Sequence, residues 1–244
     1  MIVIPMAGLS SRFFKAGYTQ PKYMLEAHGK TLFAHSVLSF SAYFKSAPFL
    51  FIVRDVYGTP EFVEKECKAL GISDYQVITL NQETRGQAET VALGLFKAEQ
   101  EQDEDLTIFN IDTFRPNFIF PELDKLGDGY LEVFRGTGDN WSFAKPESAI
   151  STKVALTTEK DPVSDLCSTG LYYFKTVNDF FFAYNSYLEK PVTAWAKGEL
   201  YIAPLYNELI TENREIHYHL IERNEVIFCG VPSEYDDFKK SDNE

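Results

Sequence analysis

Cysteine is scarce in this chain, and positive charge is outnumbered. Its three cysteines, Cys67, Cys167 and Cys229, are odd in number, far apart and lack metal-ligand spacing. They read as small buried side chains of a reducing compartment, not as a disulfide framework or a thiolate metal site. Lysine and arginine total 23 against 36 acidic residues, a formal net charge of −13. Such a surface repels nucleic-acid polymers and anionic lipid, so a phosphate ligand needs a local cationic pocket. No apolar run approaches the ~20 residues of a membrane helix. The N-terminus lacks a basic start and its apolar run stops at Gly8, which is not the pattern of a signal peptide. The expectation is a cytoplasmic protein whose partners are small molecules, with no membrane and no nucleic-acid polymer. Oligomeric state is left open, a homo-oligomer included.

What is present is apolar and aromatic. At 45% hydrophobic and 15% aromatic residues, the 244-residue chain is not disordered and can bury one large α/β core. Residues 1–6, 49–53, 76–80 and 107–111 read as strands. Thr31 caps a helix expected to reach about Phe44, residues 61–70 form a helix closed by Gly71, and 88–99 form another. Helices between strands predict an α/β, Rossmann-like, mostly parallel central sheet covered on both faces. Farther on, 129–134, 141–145, 153–158 and 169–174 read as strands, with no long helix among the first three. They predict a small mixed or antiparallel sheet extension that walls a pocket. Helices near 177–189 and 201–212, a strand pair near 216–229 and a closing helix follow. No repeat, low-complexity segment or linker interrupts the chain, so residues 1–244 read as a single domain.

Ligands on parallel sheets sit beyond the carboxyl ends of the strands. Gly8, Gln82 and Asp112 each lie at or just past such an end. The run Ile2–Ala7 meets Gly8-Leu9-Ser10-Ser11-Arg12, with Pro21-Lys22 farther on. Gly8 lets the backbone approach a phosphate, the Ser10 and Ser11 hydroxyls and N–H groups can donate to it, and Arg12 and Lys22 add full charges. The same residues would also serve a strand followed by an ordinary serine-capped helix. Asp112 could equally be a turn or cap aspartate. His217 and His219 alternate on a strand with no third ligand nearby, so no zinc site is expected. His28 and His35 have no identifiable carboxylate or cysteine partner, and no hydrolytic triad is supported.

Three separated motifs occur in one order: the Gly8–Arg12 loop with Pro21-Lys22, then Asn110-Ile111-Asp112, then Glu159-Lys160 with Ser168-Thr169-Gly170-Leu171-Tyr172. Over nearly the full length this resembles the sugar-nucleotidyltransferase superfamily, whose loop reads G-x-G-[ST]-R followed by P-K. Residues 198–207 and the closing Gly230-Val231-Pro232-Ser233-Glu234-Tyr235 are similar to segments of a subgroup common in capsule-synthesis loci. Within it, the similarity is to the CTP:phosphoglutamine cytidylyltransferases of capsular phosphoramidate synthesis. The chain departs from the pattern at Ser10, where a second glycine is expected, and at Val231, where a threonine is. In the closing segment Glu234 is the only carboxylate near the place where many members carry a second metal aspartate.

The resemblance implies attack by an acceptor phosphate on the α-phosphorus of a nucleoside triphosphate, with pyrophosphate released. It makes 1–125 a nucleotide-binding half and 126–244 an acceptor-binding half. Lys22 would screen charge at the reacting phosphate, and Arg12 would hold the β- and γ-phosphates. Ala7, Gly8, Leu9, Ser10, Ser11, Gln82, Arg85 and Gly86 would surround the nucleotide, Gln82 reading a base edge and Gly86 allowing its approach. Trp141, Lys160, Ser168, Thr169, Gly170 and Glu199 would bind the acceptor, Glu199 pairing an ammonium or sugar hydroxyls. Asp112, with Glu234 as second candidate, would hold Mg²⁺. The alternatives are a sugar-1-phosphate nucleotidyltransferase and a non-catalytic nucleotide-binding protein. A glycosyltransferase would need an Asp-x-Asp motif, and Asn110-Ile111-Asp112 supplies only its second carboxylate.

Overall fold

The first half of the chain forms strands β1 (Ile2–Pro5), β2 (Glu26–Ala27), β3 (Lys30–Thr31), β4 (Phe49–Arg54), β5 (Tyr75–Leu80), β6 (Leu106–Phe109) and β7 (Thr113–Phe114). The second adds β8 (Gly129–Arg135), β9 (Ser142–Pro146), β10 (Val154–Glu159), β11 (Leu166–Phe174), β12 (Ile216–Ile221) and β13 (Ile227–Phe228). The helices are α1 (Ser11–Lys15), α2 (Leu32–Val37), α3 (Thr59–Leu70), α4 (Gln87–Lys97), α5 (Val177–Leu188), α6 (Tyr206–Thr211) and α7 (Pro232–Lys240). The structure is a computed structural model that describes residues 1–241, so residues 242–244 of the expected domain lie outside the described residues.

The central sheet is mostly parallel. β1 runs parallel to β4 and β6, and β4 to β5. Every residue of β1 and β6 is buried, the near-continuous apolar run of a sheet covered on both faces. Side-chain alternation divides these strands between two cores. Ile2, Ile4, Phe49, Phe51 and Val53 pack with Phe33 and Val37 of α2 and Val63 and Cys67 of α3. Val3, Leu50 and Ile52 face the other way, against Val91 and Leu95 of α4. The Thr31 hydroxyl accepts the Ala34 N–H to start α2, and Gly71, at φ 74°, ends α3 as expected.

β11 joins this core to the antiparallel extension. Its first residues lie beside β9, at Cys167 opposite Phe143, and its last four pair with β6. On its other edge β11 pairs with β8, and the register shifts between Ser168 and Tyr172. The change of neighbour falls on Gly170, which sits at φ +91°. A Cβ there would stand 2.3 Å from Asn110 Nδ2, so only glycine lets the chain turn against that side chain. The Asn110 N–H donates to the Gly170 carbonyl at 3.1 Å and locks the turn.

Two expectations need correction. The strands near 216–229 do not pair with each other: β12 lies parallel to β8, while β13 pairs antiparallel with β7. The 3₁₀ turn Arg223–Glu225 separates them, and the Glu225 carbonyl, bonded by Arg115 Nη1 at 2.7 Å, carries the chain away from the main sheet. The helix from Thr31 is α-helical only to Val37, then tightens to 3₁₀ over Leu38–Tyr43. Phe40 leaves helical geometry there, and its ring packs edge-on to Phe109 and Phe118, each with centroids 5.0 Å away. Packing overrides the helical pattern at that point.

One buried ion pair ties β7, β8 and β11 together. Arg115 meets Glu132 through Nε–Oε1 at 2.8 Å and Nη2–Oε2 at 3.1 Å, a fork-to-fork contact. Thr169 Oγ1 donates to the same Oε1 at 2.9 Å. Cutting one partner leaves a desolvated charge alone, at a cost of ~3–5 kcal/mol. Arg115→Met should therefore lower unfolding free energy by about that amount in urea titration. A loss below ~1 kcal/mol would mean the pair is not the tie described.

Candidate active site

A cleft opens where the sheet reverses direction, since β4 flanks β1 on one side and β6 on the other. The loop after β1 and the segment after β6 form its floor. Ser10 adopts a left-handed conformation at φ 52°, and its Oγ accepts the Lys22 N–H at 3.2 Å. The loop and Pro21-Lys22 are thereby one unit, although twelve residues separate the bonded pair. Lys22 Nζ lies 2.5 Å from Asp112 Oδ2, and both side chains are about three-quarters buried, 21% and 24% exposed. Nothing lies within 4 Å of a Cβ built on Gly8, so its backbone is open to a ligand.

The cleft has two lobes, of about 820 and 770 Å³, and Ser10, Ser11, Lys22, Gln87, Asn110 and Asp112 line both. The structure brings Ala7, Gly8, Leu9, Arg85 and Gly86 together in the smaller lobe. Gln82 is exposed and does not line it; Glu83 and Thr84 do. Arg85 is engaged by the Glu89 carboxylate through Nε at 2.8 Å and lies 5.4 Å over the Trp195 ring. A Cβ on Gly86 would stand 2.4 Å from the Leu200 carbonyl oxygen. The missing side chain at Gly86 therefore serves packing against residue 200. Glu199 follows that contact into the same lobe, away from Trp141 and Thr169.

The larger lobe gathers Arg12, Trp141, Ser168, Thr169, Gly170 and Glu234. Arg12 makes no ion pair among the described residues and lies with this lobe, not with the smaller one. Trp141 packs at a tilt against Phe228, centroids 4.8 Å apart, as an aromatic wall. Lys160 lines neither lobe; its Nζ donates to the Tyr201 hydroxyl at 2.7 Å. The Thr169 hydroxyl is turned down onto Glu132. Glu159 reaches the lobe from the end of β10, is 8% exposed, and accepts from the Ser142 hydroxyl. Burial pushes its carboxyl above the ordinary range, opposed by the Ser142 bond and by Lys160, whose Nζ is 3.9 Å away.

Asp112 and Glu234 approach each other at Gly230. A Cβ built on that glycine would lie 3.0 Å from Asp112 Oδ2 and 3.6 Å from Glu234 Oε2. The β7–β13 pairing brings the two segments together, and the Cys229 N–H donates to the Asp112 carbonyl at 2.8 Å. Glu234 Oε2 accepts the Gly230 N–H at 2.8 Å and the Val231 N–H at 3.2 Å, leaving Oε1 without a partner among the described residues. No group of three or more potential metal-ligating side chains occurs among the described residues. Two carboxylates facing one small space make an incomplete oxygen set, suited to a hard cation that arrives with ligands of its own.

Several lining residues escaped the sequence reading. Gln87 Nε2 donates to Asn110 Oδ1 at 2.5 Å, a bridge between the lobes. Asn110 stood inside a noted motif and Gln87 adjoined Gly86, but neither carried a signal of its own. Glu159 and Tyr172 belonged to motifs, while Ser142, which bonds both, gave no local cue.

The raised Glu159 carboxyl makes a stability prediction. Glutamates of the unfolded chain titrate near pH ~4.3. The folded protein holds this proton more tightly, so Glu159 contributes stability at low pH that is lost as pH rises through the folded value. Glu159→Gln has no such loss. Urea unfolding at successive pH values should therefore give a variant-minus-wild-type difference that grows from about pH 4 upward and then levels. A difference independent of pH would contradict the burial of an ionisable carboxyl.

No protein-family model matches the chain, and no curated protein matches it. Solved structures do. A nucleoside-diphosphate-sugar pyrophosphorylase from Vibrio cholerae RC9 is 64% identical, with a TM-score of 0.95, over 99% of this chain and 100% of that one. A UDP-glucose pyrophosphorylase complexed with UDP-glucose has a TM-score of 0.72 at 15% identity, covering 98% and 96%. The inositol-1-phosphate CTP transferase from T. maritima has a TM-score of 0.71 at 12% identity, covering 100% and 97%. The last two share the fold.

Proposed function

The chain belongs to the nucleoside-diphosphate-sugar pyrophosphorylase family, and from that premise we propose that it joins a nucleoside triphosphate to a phosphorylated acceptor and releases pyrophosphate. The observation that carries this reading is the Lys22–Asp112 pair, on the floor common to both lobes. A nucleotide in the smaller lobe and an acceptor in the larger would meet there with their phosphates. In this reading residues 1–125 and 126–244 are the two halves of one nucleotidyltransferase domain.

The chemistry asks little of a general base. A phosphate monoester with second pKa near ~6 already presents an anionic oxygen at neutral pH. The protein's task is to hold two anions in line and to stabilise charge at the α-phosphorus. The Gly8–Ser11 loop supplies N–H and hydroxyl donors, with the Ser10 proton free while its oxygen accepts from Lys22. Lys22 supplies charge to the phosphate that moves. Arg12, exposed and without an ion-pair partner among the described residues, would face the departing pyrophosphate or the incoming acceptor. Asp112 and Glu234 would hold Mg²⁺, which when bound neutralises charge on the triphosphate. Their oxygen chemistry and shared space at Gly230 fit such an ion.

For the acceptor, two readings follow. Glutamine phosphate with CTP, in capsule modification, rests on the full-length resemblance. It is supported by the buried Glu159, to which an acceptor ammonium would be a partner. A sugar 1-phosphate is supported by the naming of the 64% identical relative and by the hydroxyl-bearing wall of Ser142, Ser168, Tyr172 and Tyr201. Pyrophosphate release, assayed for four nucleoside triphosphates against phosphoglutamine, phosphocholine and hexose 1-phosphates, separates them. CTP with phosphoglutamine should be fastest on the first reading, and a hexose 1-phosphate on the second. No release with any pair, despite nucleotide binding, would leave a non-catalytic nucleotide-binding protein.

Two variants probe the cleft. Lys22→Ala should lower turnover by at least ~100-fold with the fold intact, the scale of losing one aligned charge at a phosphoryl centre. Near-wild-type turnover at saturating substrate would remove Lys22 from the mechanism. Glu199→Gln, in the smaller lobe, should raise the KM of the nucleotide more than that of the acceptor. The opposite split would return Glu199 to the acceptor.

A further inference from the structure

We propose that Lys22 and a divalent cation compete for one oxygen of Asp112, so that the ammonium closes the metal site until a triphosphate draws it away. The inference rests on the nucleotidyltransferase reading, because it uses the triphosphate as the agent that moves Lys22.

The atom-level contacts carry it. Asp112 Oδ2 is the oxygen bonded by Lys22 Nζ. It is also the oxygen that lies 3.0 Å from a Cβ built on Gly230, a point 3.6 Å from Glu234 Oε2. The ammonium therefore holds the Asp112 oxygen nearest the space that a cation shared by Asp112 and Glu234 would need. A Mg²⁺ ion sits ~2.0–2.1 Å from a carboxylate oxygen and keeps a tight octahedron. With Nζ held at 2.5 Å from the same oxygen, the two cations would be close neighbours in a partly desolvated floor, where repulsion is poorly screened.

The same residue is built to leave. Its backbone N–H is bonded to Ser10 of the loop, so its anchor belongs to the phosphate-binding unit. The lysine side chain is a point charge on a flexible four-carbon stem and can exchange a carboxylate for a phosphate without moving that anchor. Gly230 leaves room for the exchange, since a side chain there would fill the space between the two carboxylates. The cation on Asp112 is thus exchanged rather than added: ammonium in the empty protein, metal in the loaded one. Metal binding to the empty protein is weak as a result, and the metal enters together with the triphosphate.

The test titrates Mn²⁺ alone into nucleotide-free protein and reads free Mn²⁺ by electron paramagnetic resonance. Wild type, Lys22→Met, Lys22→Arg and the double variant Lys22→Met/Asp112→Asn are compared, each checked for folding by circular dichroism. Lys22→Met should bind Mn²⁺ about tenfold or more tightly than wild type, the scale of removing a neighbouring cation from a partly buried carboxylate. Lys22→Arg should stay close to wild type, and the double variant should lose the gain. If Lys22→Met does not fold, Lys22→Gln takes its place. Equal, tight binding by wild type and Lys22→Met would overturn the competition while leaving Asp112 as a metal ligand. Absence of binding to Lys22→Met would overturn the competition and the metal assignment together. Pyrophosphate release is measured separately and bears only on the enzymatic reading.

Discussion

The turn of β11 at Gly170 is the constraint on which the site depends. Within three residues the strand leaves β9 and takes up β6. A left-handed glycine and the Asn110-to-Gly170 backbone bond make that possible. Above the turn, Ser168 and Tyr172 face the larger lobe. Below it, Thr169 is bonded to Glu132 and so to Arg115, which fixes the turn to β7 and β8. Beyond it, Asn110 leads directly to Asp112. A floor made from the ends of separate strands is rigid because each end is bonded to the next.

On that floor electrostatics work locally. The chain carries a net charge of −13, yet the reading asks it to gather two phosphate-bearing molecules. The contribution of Lys22 comes from partial burial and from the carboxylate beside it, which orients the ammonium at the floor of the cleft. The larger lobe balances this with Glu159 and Glu234 on its walls. On the proposed reading a phosphate would be received at the floor by Lys22, while the rest of the acceptor would meet carboxylate, hydroxyl and aromatic groups.

Much of this was readable from residues, and the failures have physical causes. The parallel core was legible because buried strands such as Ile2–Pro5 and Phe49–Arg54 are apolar on both faces. The loop, Lys22 and Asp112 were legible as motif residues, and the structure brings them together across 90 positions of sequence. Pairing partners were not legible: β12 and β13 look like a hairpin locally, but an available edge of β8 and the strand β7 claim them separately. Side chains whose role is decided by a distant neighbour were also hidden. Gly86 needs to be glycine because Leu200 packs on it, and Lys160 turns to Tyr201 instead of entering the cleft.

In the proposed reaction an acceptor phosphate oxygen attacks the α-phosphorus of a nucleotide above Lys22 and Asp112. Isotope position tests it directly. The acceptor that turns over in the assay is prepared with ¹⁸O in its phosphate group, and the products are examined by ³¹P NMR and mass spectrometry. The account predicts ¹⁸O in the bridging position of the nucleotide-linked product and unlabelled pyrophosphate. Label in the pyrophosphate, or release of orthophosphate in its place, would contradict it.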